Sequence, residues 1–175
     1  MLPLAIAALT IISGCSNAVS NAPATVQPSP AGIPLVSGGA GSQPISMSKG
    51  DTKYTIYFPM VNIVTKTTGY AKLPADTVLV VFDVEYEVQV GSLNVVGSSD
   101  FEAYVDGTIA AEPASYGYDL KDIGYVKLVA GTKTAGQFGY LVPKSASTLV
   151  LYFVDQFSQE PRIWQMNLDI SSILN

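Results

Sequence analysis

Downstream of Lys49, apolar and polar side chains alternate with a period of two. That period puts successive residues on opposite faces of an extended backbone and predicts strands, not helices. In Tyr54-Thr55-Ile56-Tyr57-Phe58 the alternation holds until Pro59, which cannot donate to a ladder and so predicts a bend or a sheet edge. The longest run is Thr77 to Val90. Val80, Phe82, Val84, Tyr86, Val88 and Val90 face one way, while Asp83, Glu85, Glu87 and Gln89 face the other, which predicts one packed and one wet face. Phe101 to Val105 leads into Asp106-Gly107, a dipeptide that tolerates positive φ, and Thr108 to Ala111 returns as the second arm of a hairpin. Further strands are predicted over Tyr125 to Val129, Gly136 to Val142, Thr148 to Val154 and Ile163 to Leu168. Turn signals separate them at Ala130-Gly131-Thr132, Pro143-Lys144-Ser145 and Gln159-Glu160-Pro161. No ten-residue stretch has a helical apolar stripe, although Tyr118 to Ile123 has room for one turn.

Seven or eight short strands with closely spaced turns predict an all-β domain of two antiparallel sheets packed face to face. Leu149 to Val154 is apolar on both faces and belongs in the middle of a sheet, with Trp164, Met166 and Leu168 closing the core. The chain has one Cys, so no disulfide staples the sheets and burial must suffice, as it can at this size.

The front of the chain reads differently. Leu2 to Ile12 is an uncharged apolar run of about a dozen residues, short of the roughly 20 that span a bilayer but suited to the h-region of a secretory signal. Ile12-Ser13-Gly14-Cys15 directly after it resembles the lipobox of prokaryotic lipoproteins, in which the cysteine is acylated and the chain is cut before it. The resemblance implies a lipid anchor at Cys15, hence export and attachment to the outer face of the cell membrane or to the outer membrane. Several acyl chains at about 0.8 kcal/mol per buried methylene hold firmly. Ser16 to Ser48 then contains seven Ser, five Pro, five Ala and four Gly, with no aromatic residue and no charge. Such a stretch buries too little apolar area to offset its ordering entropy and is predicted to be a tether. It reaches on the order of 30 Å as a coil and about 100 Å when extended. The expected organisation is a signal peptide over 1–14, a lipid-anchored linker over 15–49 and a β-sandwich over 50–175.

Composition narrows the chemistry. With nine Lys and Arg against fourteen Asp and Glu, the net charge is -5 and the pI near 4.5, so the positive field that nucleic-acid binding requires is missing. The chain has no His, and the lone thiol is already assigned to the anchor, which removes the commonest general base, zinc ligands and a cysteine nucleophile. The Gly-rich piece Ser37 to Ser42 lacks the Lys-Ser/Thr pair of a phosphate loop. Ser46-Met47-Ser48-Lys49 matches S-x-x-K, but the S-D-N and K-T-G companions of the penicillin-interacting serine enzymes are absent. No cofactor is expected.

Two groups of residues could carry function. Asp83, Glu85 and Glu87 occupy alternate positions and line one sheet face about 7 Å apart, where like charges repel. Calcium would relieve the repulsion, with Asp100 or Asp106 adding oxygens. Lys127 or Lys133 on a neighbouring strand would do the same through cross-strand pairing, and this pairing is the expectation. The second group is the loop Ala114 to Gly124, which holds Tyr116, Tyr118 and Asp119 among glycines. Tyrosines on glycine-flexed loops give adaptable contact surface at low entropy cost, and sandwich-end loops often carry function. The alternative is that Tyr116 or Tyr118 folds back onto the sheet as a cap.

The strand Val78 to Tyr86, Ser99-Asp100-Phe101 with Asp106-Gly107, Val129 to Gly131, Gly136 to Phe138, Val142-Pro143 and Leu149 to Tyr152 together resemble a family of telokin-like, immunoglobulin-fold domains of unknown function in exported bacterial and archaeal lipoproteins. The resemblance covers Lys53 to Phe153 and implies an immunoglobulin-like antiparallel β-sandwich. It brings no catalytic residues. The expected function is therefore a membrane-anchored, non-catalytic head that binds a protein or glycan through its loops. Alternatives are a structural subunit of a surface filament or layer, joined by edge-strand addition, and a hydrolase working with carboxylates alone.

Overall fold

The computed structural model describes residues 44–114, 117–154 and 162–171, the last group without the side chains of 162–164. The signal segment, Cys15, most of the expected tether, Tyr116 and the Trp164 side chain lie outside the described residues. The described chain forms an antiparallel β-sandwich. Its first sheet runs in the order β1 (Ile45–Lys49), β2 (Thr52–Tyr57), β4 (Thr77–Val90), β10 (Lys133–Pro143), β8 (Glu112–Pro113), and β3 (Val61–Val64) also pairs with β4. The second sheet runs β12 (Arg162–Asp169), β11 (Thr148–Val154), β6 (Phe101–Val105), β7 (Ile109–Ala110). A separate ribbon joins β5 (Ser92–Val95) to β9 (Val126–Val129), and a short 3-10 turn covers Gly97–Asp100.

The expected strands are all present, and β1, β3, β5 and β8 are additional short ones. The bend expected at Pro59 is the gap between β2 and β3. Both pair with the same side of β4, β2 against its far half and β3 against its near half, with the Asp83 amide donating to the Met60 carbonyl at 2.9 Å across the break. β structure begins before residue 50, where the sandwich is expected to start, because β1 pairs with β2 from Ile45 and packs Ile45 and Met47 against the core. The sequence hid this strand because its two apolar residues stand alone amid Ser and Pro. The S-x-x-K match at Ser46 to Lys49 lies on this strand and not on a helix.

Between the sheets, Phe58, Phe82, Phe101, Phe138 and Phe153 form a continuous aromatic layer. Phe138 stacks on Phe82 at 5.0 Å and on Phe101 at 4.4 Å, and Phe58 meets all three edge-on. Val78, Val80, Val84 and Val88 of β4 and Leu149, Leu151, Met166 and Leu168 of the second sheet fill the space around them. Each fully buried Val, Leu, Met or Phe contributes about 1.5–3 kcal/mol. Two tyrosines enter this layer with their hydroxyls satisfied. Tyr140 donates to the Phe101 carbonyl at 3.0 Å, and Tyr86 lies 3.4 Å from Asp100 Oδ2. Burial pushes the Tyr86 hydroxyl well above its ordinary pKa, and the Asp100 charge adds to the effect.

Val90 departs from the expected core face and is 46% exposed. The β2–β4 register slips between Lys53 and Tyr54, and this bulge resets the alternation over the last residues of β4. At the other end of the sandwich the Asp106-Gly107 hairpin forms as expected, with φ of 48 and 71. Asp106 Oδ1 accepts from the amides of Ser147 and Thr148 at 3.0 and 2.9 Å, which holds its carboxyl below the usual range and clamps the hairpin to the β10–β11 turn.

Candidate functional site

The outer face of the first sheet is covered at one end by two loop segments, residues 65–76 between β3 and β4 and the described residues 114 and 117–125 between β8 and β9. Under them sits a second apolar cluster, Leu79, Val81 and Leu141, packed against Val64, Leu73, Ala114, Tyr118 and Leu120. Polar bonds and close backbone approach fix the loops to each other. The Ala71 amide donates to the Gly117 carbonyl at 2.9 Å, and Thr68 Oγ1 lies 3.5 Å from Asp119 Oδ2. A Cβ at Gly69 would collide with the Gly117 carbonyl, so only glycine allows this crossing.

Gln137 ties the second loop to the sheet. Its amide donates to the Lys121 carbonyl at 2.7 Å, its Oε1 accepts from the Lys121 amide at 3.2 Å, and its Nε2 donates to Asp83 Oδ1 at 2.7 Å. Tyr118 to Ile123, which has room for one helical turn, is irregular. Asp119 takes a positive φ of 58, and Lys121 bonds across to β10, so the segment extends the cover of the β10 edge instead of coiling on itself.

Between the loops opens a cleft of about 770 Å³. Thr68, Tyr70, Ser98, Tyr118, Asp119 and Asp122 supply its polar wall and Phe138 part of its floor. That volume falls in the range of ordinary ligand sites. Tyr70 is 99% exposed at the rim. Asp122 Oδ1 accepts from the Gly124 amide at 3.2 Å. Asp119 and Asp122 are both exposed.

Of the binding residues expected from sequence, Tyr118 and Asp119 line this cleft and Tyr116 lies outside the described residues. Tyr118 also packs on the outer apolar cluster. Tyr70, Thr68, Asp122 and Gln137 were not anticipated. The signal was present in duplicate: Gly69-Tyr70 and Gly117-Tyr118 are the same dipeptide, and it is their glycines that cross.

The acidic trio does not converge. Asp83 is opposite Gln137, Glu85 opposite Ala135 and Glu87 opposite Lys133, so each carboxylate meets its own cross-strand neighbour. Lys133 takes the position foreseen for it. Lys127 does not, because β9 belongs to the ribbon and Lys127 faces Asn94. Among the described residues no three or more His, Cys, Asp or Glu are grouped to hold a metal ion.

Fold and site together define an antiparallel β-sandwich in which described residues of two loops help build a polar, tyrosine-bearing cleft. The sequence matches no protein-family model and no curated protein. Among solved structures, the fold is similar to that of ycdA, a lipoprotein candidate from Bacillus subtilis, with a TM-score of 0.55 at 17% identity over 73% of this chain. The match spans 39% of the Bacillus chain. It is also similar to MPT63, a secreted protein of Mycobacterium tuberculosis, with a TM-score of 0.51 at 13% identity, covering 78% of this chain and 98% of that one. At these identities the likeness establishes the fold.

Proposed function

We propose that this chain is an exported lipoprotein, held by a lipid on Cys15 to the outer face of the cell membrane or to the outer membrane, whose β-sandwich head is a non-catalytic binding module for a protein or glycan partner. The observation that carries the binding half is the cleft with Tyr70 standing in water at its rim. An aromatic ring with 99% of its surface exposed contributes almost nothing to folding, and beside a cleft it is available to a ligand. The lipobox-like Ile12 to Cys15 carries the anchor half, and the lipoprotein candidate and secreted protein that share the fold fit an exported chain. We place the head with the telokin-like immunoglobulin-fold domains on the strand and turn residues that resemble them.

The non-catalytic reading rests on the carboxylates. A glycosidase pair needs one acid enclosed in an apolar setting, and Asp119 and Asp122, the two carboxylates among the described lining residues, are both exposed. Metabolic labelling with a fatty-acid analogue tests the anchor: Cys15→Ala should lose the label and leave the membrane fraction, and an unchanged distribution would refute it. Co-sedimentation with purified cell-envelope material tests the head. Tyr70→Ser should abolish sedimentation of the soluble chain, and equal sedimentation would remove the cleft from the function.

A further inference from the structure

We infer that the cleft takes a neutral oligosaccharide, with a sugar ring stacked on Tyr70 and its hydroxyls bonded to the polar wall; this rests on the cleft being the binding surface. Three observations carry it.

The first is the chemistry of the wall. Thr68, Ser98, Asp119, Asp122 and Gln137 offer carboxylate acceptors, two hydroxyls and an amide, and no Lys or Arg is among the described lining residues. Vicinal hydroxyls donate to carboxylates and exchange bonds with Ser, Thr and Gln in both directions, so a sugar can satisfy such a wall. A phosphate, sulfate or uronic acid would meet two carboxylates and no cation, which leaves an anionic ligand unpaired.

The second is the aromatic element. Tyr70 is 99% exposed, whereas Tyr118 of the opposite loop is half-buried on the outer apolar cluster. One ring is therefore fixed as wall, and the other presents both of its faces. A pyranose has a face made of C–H bonds that lies flat against an aromatic ring. Tyrosine also spends little rotamer entropy in making that contact.

The third is scale. A stable protein interface uses about 20–30 residues a side, whereas the described lining of this cleft comes to about half of that. Its volume is that of a small-ligand site. The loops that form it are already tied together at Ala71 and Gly117 and to the sheet through Gln137, so the cleft is preorganised and little ordering cost remains to be met on binding.

The test is calorimetric titration of the full chain with neutral gluco-, manno- and N-acetylglucosamine oligosaccharides, run beside a lysine-rich peptide of similar length. Binding to at least one neutral sugar is expected, weakened about tenfold or more in Tyr70→Ala. The same variant should keep the wild-type thermal midpoint, because the ring is not packed. Sugar binding that Tyr70→Ala leaves intact overturns the inference. Binding of the basic peptide alone, lost in Tyr70→Ala, overturns the glycan assignment and leaves the binding cleft standing. Silence in every titration, with envelope sedimentation also unaffected by Tyr70→Ser, overturns both.

Discussion

The two faces of the first sheet obey different rules. On the inner face, Val78, Val80, Phe82, Val84, Tyr86 and Val88 meet the second sheet along most of β4, and five phenylalanines knit the layers together. On the outer face, among the described residues, Leu79, Val81 and Leu141 form the buried apolar cluster, and what covers them is loop. Beyond that patch the same face carries Asp83, Glu85, Glu87 and Gln89 toward water. The inner face draws its stability from area. The outer face draws its order from a few directional bonds and a glycine crossing, and it is there that a cleft remains open. A sandwich of this kind can alter its outer loops without disturbing the layer that keeps it folded.

That contrast can be broken at neighbouring positions of β10. Phe138→Ala removes the ring stacked on both Phe82 and Phe101 and should cost about 3–5 kcal/mol, read as a fall in the urea midpoint or as failure to fold. Leu141→Ala, on the opposite face, should cost about 2 kcal/mol, because loop can settle into the space it leaves. If Leu141→Ala proved as damaging as Phe138→Ala, the outer cluster would be a second core and not a seat for loops. The smallest effect belongs to Tyr86→Phe, about 1 kcal/mol at neutral pH from the loss of one buried hydroxyl contact. Its diagnostic is pH. The folded-state pKa of Tyr86 is raised, so its neutral form contributes fully below the unfolded value near 10, and that contribution drains away as pH rises beyond it. The wild type should therefore lose stability in alkali, and Tyr86→Phe should flatten that limb. Equal slopes would mean that the hydroxyl titrates freely.

The inner face was legible from sequence because one period governs it. Six alternating apolar residues from Val80 onward left little freedom of assignment, and only Val90 departed, displaced by a bulge that alternation cannot reveal. Asp106-Gly107 was equally readable, since its turn needs two positive φ values and the dipeptide supplies them. The cleft was half legible. Tyr118 and Asp119 stood out as tyrosine and charge among glycines, but Tyr70 and Asp122 become a site only when loops 48 residues apart meet, as Gly69 and Gly117 do. No local pattern encodes that meeting. The fate of the acidic trio depended on register: Gln137 opposite Asp83 and Lys133 opposite Glu87 follow from which residue pairs with which across two strands.

The entry of the chain through β1 has a mechanical consequence. Any tension drawn on the polypeptide ahead of Pro44 arrives at Ile45, on a rim strand whose ladder to β2 ends at Lys49 and Thr52 and whose Ile45 and Met47 are only half-buried. This strand should peel first and release about 15–17 Å of chain, while Tyr54 and Ile56 stay seated in the interior. The hairpin is in effect a fuse, yielding under load so that the body it belongs to keeps its shape.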